Sequence, residues 1–582
     1  MRNTAAYMIV SVSIWLVFQG QSYSAAETLV PSGSSQIGTS NDVMGFGAKC
    51  DAASASDASM RAGSNILTSQ QSSFRQTDVG KVVAVMGAGA KWTGAFDADH
   101  PAEIPYATVF STIQKIVDPH DAQLSDTALT TVTETQASWA TDDSAAIQTA
   151  LNQLQPNGQL SFSKLCGVGH AGWQSLSINT SNVTLSGKGP GSGLMVFYTP
   201  IKSTKIEPFS ALKSTNTTGL SIRDLEINGN GILSTLLGLF HVSNSTIAHD
   251  YFHNTGNSMA NCIFTLWGNS NTYTSNTASH CGRGFWLGNP VPEQAENNAT
   301  VTHNLVTDNI WSGIGGTLRN SVIDSNTILR NGGSGIPLGS TPGDVYQNVT
   351  ISHNVCEYNS FEGVQSDTSP GNSGIPTSDP IRLMTGAPRE IMIVDNVIDH
   401  NGLAGVYAVY GVDWMISKNK IYDNGFIGAI KTWQVALLAQ VASGTPGQSG
   451  ITIGWATDIK VLNNQIYDDQ SPPTQYNGVN IGVGDVRGGV KRVTLDGNTI
   501  TGQREEGIHL TAGHGTGEGI IIINNTVRDN GSQGIVINKG YSNVRVSNNI
   551  ARGNAKADYR GDIAVQGGSN TFGTIEGLRP PR

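Results

Sequence analysis

Positive charge is scarce in this chain. Its 582 residues hold 34 Lys and Arg against 44 Asp and Glu, a formal charge of −10. That balance excludes the basic faces which nucleic acid or an anionic membrane would require. Charged residues of both signs reach only 13%, while Gly numbers 69, a composition suited to a low-charge stack of strands with many corners. After residue 26 no run is apolar enough to span a bilayer, and no zinc or EF-hand ligand spacing occurs. Cysteine is rare too. Cys50, Cys166, Cys262, Cys281 and Cys356 are an odd set, so at least one thiol stays free; Cys50 with Cys166 and Cys262 with Cys281 are the candidate pairs, with burial of all five as small hydrophobes the alternative.

Residues 1–26 read as an export signal. Arg2 precedes an apolar run from Ala5 to Phe18 and a polar stretch ending Ser24-Ala25-Ala26, with cleavage expected before Glu27. The apolar core, ~14 residues, is shorter than the ~20 that cross a bilayer. The mature protein is expected to be exported and soluble.

What the chain has in abundance is one repeated phrase. An Asn (once Asp), an apolar residue two positions on, usually a second Asn three further, then Gly and an apolar residue recur at Asp250, Asn276, Asn304, Asn326, Asn354, Asn396, Asn419, Asn464, Asn498, Asn525 and Asn549. We number these coils one to eleven. The shortest intervals, 22 residues (304 to 326) and 24 (525 to 549), leave no room for a helical repeat, and the flanking runs alternate with period two. Parallel strands pairing coil to coil follow. Stacked at ~4.8 Å per coil, the Asn side chains are expected to form an inward ladder bonding one another and the corner backbone. His249, His303 and His353, each just before an anchor, read as a structural ladder rather than a metal site.

Upstream, Gly45-Phe-Gly-Ala-Lys-Cys-Asp51 and Thr141-Asp-Asp-Ser-Ala-Ala-Ile-Gln148 resemble the two halves of the motif that opens pectate-lyase-like proteins related to family 28 glycoside hydrolases. The resemblance covers roughly residues 41–52 and 141–575. It implies an all-β fold, a right-handed parallel β-helix with an N-terminal capping helix. The helix, about 141–155, also follows from a cap at Thr141 or Asp142 and from Ile147, Leu151 and Leu154 on one face. The chain thus divides into the signal (1–26), an opening segment (27–56), a small β-rich insertion (57–140) and the β-helix (141–582).

Two short motifs point to known chemistry without carrying it. Asp118-Pro-His-Asp121 matches a tetrapeptide of mannuronan C5-epimerases, but it lies far upstream of the repeats, where a strand-connecting turn explains it. Gly513-His-Gly515 matches family 28 polygalacturonases, yet their Asn-Thr-Asp and Arg-Ile-Lys motifs are missing and Asp468-Asp469 is misplaced.

Chemistry is sought where the repeat is interrupted. Inserts at Asn289 to Ala299, Asp367 to Arg389 and Trp433 to Ala456 all follow a Gly-apolar strand on this reading, and so wall one groove. The outward residues of that strand are Trp286, Gly315, Pro337, Gln365, Tyr407, Asn480 and His509, with Ile430 or Lys431 in coil seven. Trp267, Trp286, Trp311, Trp414, Trp433 and Trp455 cluster in the same coils. Aromatic faces beside amides suit sugar rings, so Trp286, Gln365, Tyr407, Trp433 and Asn480 are the candidate substrate-binding residues. Glu362, Asp367, Asp413, Asp485, Lys431 and His509 are the nearby titratable groups. Asp367 and Asp413, read as ending one strand in neighbouring coils, are expected ~5–10 Å apart, the range of glycosidase pairs; Lys431 or His509 are the candidate bases for elimination on uronic acids, with Glu362 a further acid. The expectation is a polysaccharide-cleaving hydrolase without a cofactor. A lyase, for which Ca2+ is the ion expected, an epimerase-like enzyme and a non-catalytic adhesin are the alternatives.

Overall fold

The computed structural model describes residues 41–90, 108–200, 210–256, 260–289, 294–339, 346–367, 387–431, 446–482, 489–511 and 517–580, with Gln434, Leu438, Ala439 and Ala442 between. The expected export signal, Trp433, Asp485 and His514 lie outside these.

The repeat builds three parallel sheets that run the length of the molecule. Sheet 1 begins at Gln159–Ser161 and runs to Arg545–Ser547; sheet 2 runs from Leu165–Val168 to Thr571–Phe572 and sheet 3 from Leu176–Ile178 to Ile575–Gly577, each of 15 strands. Each coil lays down one strand in sheets 2 and 3, and one strand or two short ones in sheet 1. The alternating apolar residues point into one continuous core, where Ile328, Val364, Ile398 and Ile453 are fully buried.

Two ladders hold the corners. The anchor Asn of each coil turns sheet 1 into sheet 2. The Asn326 amide donates to the Asn354 Oδ1 at 2.9 Å and to the Val301 carbonyl at 2.9 Å, and the pattern continues from Asp250 to Asn549. The second Asn builds a parallel ladder at the turn from sheet 2 to sheet 3, through Asn309, Asn331, Asn359, Asn401 and Asn424, with Gln475 and Gln503 substituting in coils eight and nine. Residues just before the anchors adopt left-handed backbone, φ 59° at His249, 56° at His303 and 52° at His353. His tolerates that conformation better than most residues, which accounts for its recurrence there.

The two halves of the opening motif interlock. Asp143 accepts from the backbone N–H of Lys49 (2.6 Å) and Cys50 (2.8 Å), while Asp51 accepts from the Thr141 N–H (2.8 Å). Helix α1 (Ser144–Gln153) covers the first coil with Ile147, Ala150 and Leu151. Cys50 bonds Cys166 and Cys262 bonds Cys281, leaving Cys356 free and buried. Between the halves, six antiparallel strands from Ala53 to Ala140 close into a small barrel with its own core around Leu67, Phe74, Val83 and Trp139. Asp118-Pro-His-Asp121 is a turn of this barrel: the Asp118 Oδ1 accepts from the N–H of His120 (2.7 Å) and Asp121 (3.0 Å).

Candidate functional site

The outward column of sheet 3 is in register. Trp286 lies beside Gly315, Pro337 beside Gln365, Gln365 beside Tyr407, and Asn480 beside His509. At ~4.8 Å per coil, the seven steps from Trp286 to His509 span ~34 Å. Coil seven departs from the expected register. Its sheet 3 strand is Ile451–Gly454, paired with Val406–Val409, so Thr452 and not Ile430 or Lys431 fills the column.

That correction moves the third insert. The corners after Arg283–Leu287 and Val364–Asp367 lead from sheet 3 to sheet 1, but the coil-seven insert lies between Lys420–Tyr422 and Ile451–Gly454, in the turn from sheet 2 to sheet 3. The column is therefore flanked along both edges rather than one. The coil-seven insert runs backward along its edge: Ser360 Oγ donates to the Ala429 carbonyl at 2.9 Å, and Gln434 Nε2 to the Gly332 carbonyl at 2.7 Å. Lys431 rides on it near Asp308, whose carboxyl stays below its usual range despite burial because Arg330 and, more weakly, Lys431 lie close.

The expected pairing of Asp367 with Asp413 fails. Asp367 ends the sheet 3 strand Val364–Asp367, opposite Gly339. Asp413 belongs to sheet 1, in Val412–Ser417, beyond the left-handed corner at Tyr410 (φ 67°). It is exposed, with left-handed φ of 54°, in a surface row with Glu390 and Asp458. Glu362 is buried, and Ser334 Oγ donates to its Oε2 at 3.1 Å while also meeting Gln365 Oε1.

Other predicted residues divide between groove and scaffold. Trp286, Gln365 and Tyr407 are half-buried on the outer face. Gly315 makes room for the Trp286 ring, since an added Cβ would stand 2.9 Å from it and 2.8 Å from Pro337 Cγ. The Arg283 guanidinium lies 4.2 Å from the centre of the same ring, and burial lowers its pKa to about 10. Asn480 and Thr452 are in the column but fully covered, and Asn480 Oδ1 accepts from Thr511 Oγ1 at 2.6 Å. Asn538 donates to His509 Nε2 (2.9 Å), and burial with Arg560 lowers the His509 pKa to about 4. This engages the lone pair a base would use. Of the tryptophans, Trp414 is core, bonded to the Pro388 carbonyl at 2.9 Å; Trp455 packs against Tyr410 at the sheet 3 to sheet 1 edge, and Trp311 against Phe361 at the other.

A second concentration of titratable groups was not anticipated. On the outer face of sheet 2, Glu357 and Asp399 are cross-strand neighbours, and His400 links Asp399 (2.6 Å) to Asp423 (3.6 Å). The signal was an acid three residues after the anchor in two consecutive coils. Nearby, Asp468, Asp469, Gln470, Pro472, Arg504 and Asp529 line an open depression of about 880 Å3. Burial raises the Asp468 pKa to about 7, against bonds from the N–H of Gln470, Thr474 and Gln475; those bonds make it the brace of its loop. Among the described residues the one cluster with metal-ligand spacing is Cys50, Asp143 and Cys166, whose cysteines are joined in a disulfide.

The profile of a family described as the right handed beta helix region matches residues 230–378 and 377–574, more than half of the chain. The chain belongs to this right-handed β-helix family. No curated protein matches it by sequence. Among solved structures, this β-helix is similar to the Dettilon tailspike protein (13% identity, TM-score 0.42, 66% of this chain and 63% of the tailspike covered). It is also similar to the A-module of a mannuronan C-5 epimerase from Azotobacter vinelandii (16%, 0.40, 69% and 96%). A third is the catalytic unit of a GH87 alpha-1,3-glucanase from Streptomyces thermodiastaticus (12%, 0.39, 90% and 89%). The chain spans less than two thirds of the tailspike. Likenesses at this level have no bearing on what it acts on. Among the described residues no helix is long and apolar enough to cross a membrane.

Proposed function

We propose that this β-helix is an exported enzyme that binds a polysaccharide along the outer face of sheet 3 and hydrolyses it. The observation that carries the reading is the registered column of Trp286, Gln365, Tyr407 and His509, flanked on both edges by long corners. Half-buried aromatic rings offer stacking faces, and the Gln365 amide between them offers a hydroxyl partner. With Asp413 removed to sheet 1, the acids left beside the column are Asp367, the last residue of the strand Val364–Asp367, and Glu362, two residues before its start. Five residues of extended chain, ~16 Å, exceed the ~5–10 Å of a glycosidase pair, so the two are proposed as separate acid groups and not as a pair. Elimination has less support, because Lys431 sits on a corner beside Asp308 and His509 Nε2 is held by Asn538.

The test is incubation with a panel of neutral and uronic-acid polysaccharides. New reducing ends without ultraviolet-absorbing products are expected, and Glu362→Gln and Asp367→Asn should each lower kcat by ~10²–10⁴ with binding retained. Absorbing products would replace hydrolysis by elimination. Binding without turnover in the native protein, unchanged in both variants, would make it a glycan-binding scaffold.

A further inference from the structure

We infer that the cleft between the small barrel and the first coils is a second carbohydrate site, which takes a neutral sugar unit through Glu134 and the hydroxyls of Thr131 and Thr133. It lies apart from the sheet 3 column and does not rest on the proposed function.

The cleft has a volume of about 460 Å3, within the ~300–1,000 Å3 of small-ligand sites, and it lies where two folding units meet, a common place for them. Its barrel wall is formed by five consecutive residues, Thr131 to Thr135. In a regular strand such residues would alternate between two faces. Here the strand Val132–Ala140 bulges: Met60 pairs with Val132 and Ala58 with Thr135, so Thr133 and Glu134 stand opposite the single Ser59. Glu134 takes left-handed backbone, φ 52°, which is unfavourable for a residue other than glycine and recurs at ligand-binding positions. A bulge of this kind turns a side chain to a new direction, and it lets neighbouring residues line one cavity.

The opposite wall belongs to the β-helix, at Gly231 and at Thr255-Gly256 of coil one, where the chain leaves sheet 2. The two walls are fixed to each other. Thr108 Oγ1 donates to the Asn230 carbonyl at 2.9 Å and Ser138 Oγ to Asn230 Oδ1 at 3.3 Å, while Val82, Ala84 and Ala140 share a core with Met195 and Phe197. A Cβ at Gly231 would stand 2.3 Å from Thr108 Oγ1, so glycine is what permits this approach of barrel to β-helix. The cleft is formed before any ligand arrives.

The lining selects the class of ligand. Glu134 is the one charged residue in the described lining and is exposed, as are Thr131 and Thr133. Its carboxylate repels anions, and a cation would find no second acid beside it. Sugar hydroxyls suit it, because a carboxylate accepts them in bonds stronger than neutral ones. Of the other hydroxyls, Thr108, Thr135 and Thr255 donate to the carbonyls of Asn230, Met86 and Ala260 and so hold the walls. Thr131 accepts from the Ala62 N–H at 3.0 Å and keeps its own proton for a ligand. Val132 and Met86 add apolar surface for the C–H side of a ring.

The experiment is methyl NMR of the full chain labelled at its methionines, with the Met86 signal, assigned through Met86→Leu, as reporter. Neutral trisaccharides of glucose, galactose and mannose are titrated in turn. At least one should move the Met86 signal saturably. Glu134→Gln should weaken that binding ~5–10-fold, as when a hydrogen bond to a charged group becomes a neutral one, with the other methionine signals unmoved to show that the variant is folded. Trp286→Ala should leave it unchanged. A Met86 signal that none of the three sugars moves, or that responds equally in Glu134→Gln, overturns the site. So does a response to Ca2+ or 1,4-diaminobutane in place of the sugars, which would make Glu134 a cation-binding group. A response lost in Trp286→Ala overturns it too, since it would come from sugar bound on sheet 3. No turnover is measured, so the cleft and the proposed function fail separately.

Discussion

Glu296 is a carboxyl out of place in the core of this fold. It is fully buried inside coil two, where its Oε1 accepts from Asn271 Nδ2 at 2.8 Å and the Tyr273 hydroxyl at 3.3 Å, while its Oε2 has no partner. Burial raises its pKa from 4.5 to about 7. A carboxyl whose folded pKa lies above its unfolded value favours folding fully below the unfolded value. That contribution is lost as pH rises through the folded one. The gap from 4.5 to about 7, at ~1.36 kcal/mol per pH unit, amounts to ~3.4 kcal/mol. Glu296→Gln keeps the shape and the acceptor but cannot ionise. In urea unfolding the variant should match native protein at about pH 4.5 and exceed it by ~3 kcal/mol at about pH 9. Every other titrating group is common to the two proteins and cancels in the difference. A native-minus-variant difference that does not change with pH would refute the reasoning.

Two other substitutions probe the scaffold and the groove. Asn401→Ala removes the acceptor of the Asn359 N–H (3.1 Å) and the donor to the Cys356 carbonyl (3.0 Å) in mid-ladder; two buried backbone groups at ~1–3 kcal/mol each predict a loss of ~2–6 kcal/mol by urea unfolding. Gly315→Ala puts a methyl against the Trp286 ring and Pro337 and should cost ~1–3 kcal/mol of stability. It should also weaken glycan binding measured by affinity electrophoresis, whereas Asp413→Asn should change neither.

The fold was legible because its determinants are local and repeated. An Asn at a fixed offset from an apolar pair specifies the corner, the ladder and the inward face together, and the outward column follows by alternation. The misreadings came where one signal has two meanings. Gly428-Ala-Ile430 carries the Gly-apolar mark of a sheet 3 strand, but the chain only resumes the sheet at Gly450-Ile451. Val406 to Asp413 alternates as though continuous, yet left-handed Tyr410 turns it from sheet 3 into sheet 1. The Glu357–Asp399–His400 cluster was missed because it depends on which coils are stacked side by side, and neither acid is unusual within its own coil.

The claim that a polysaccharide lies along sheet 3 is tested most directly by measuring retention of native protein and of Trp286→Ala, Tyr407→Ala and Tyr358→Ala on the polysaccharide it binds best. Loss of at least ~10-fold in affinity for the first two variants, as for buried aromatic anchors, with Tyr358→Ala on sheet 2 unchanged, is the predicted result. Equal binding by all four proteins, or no retention of the native protein on any polysaccharide, would contradict it.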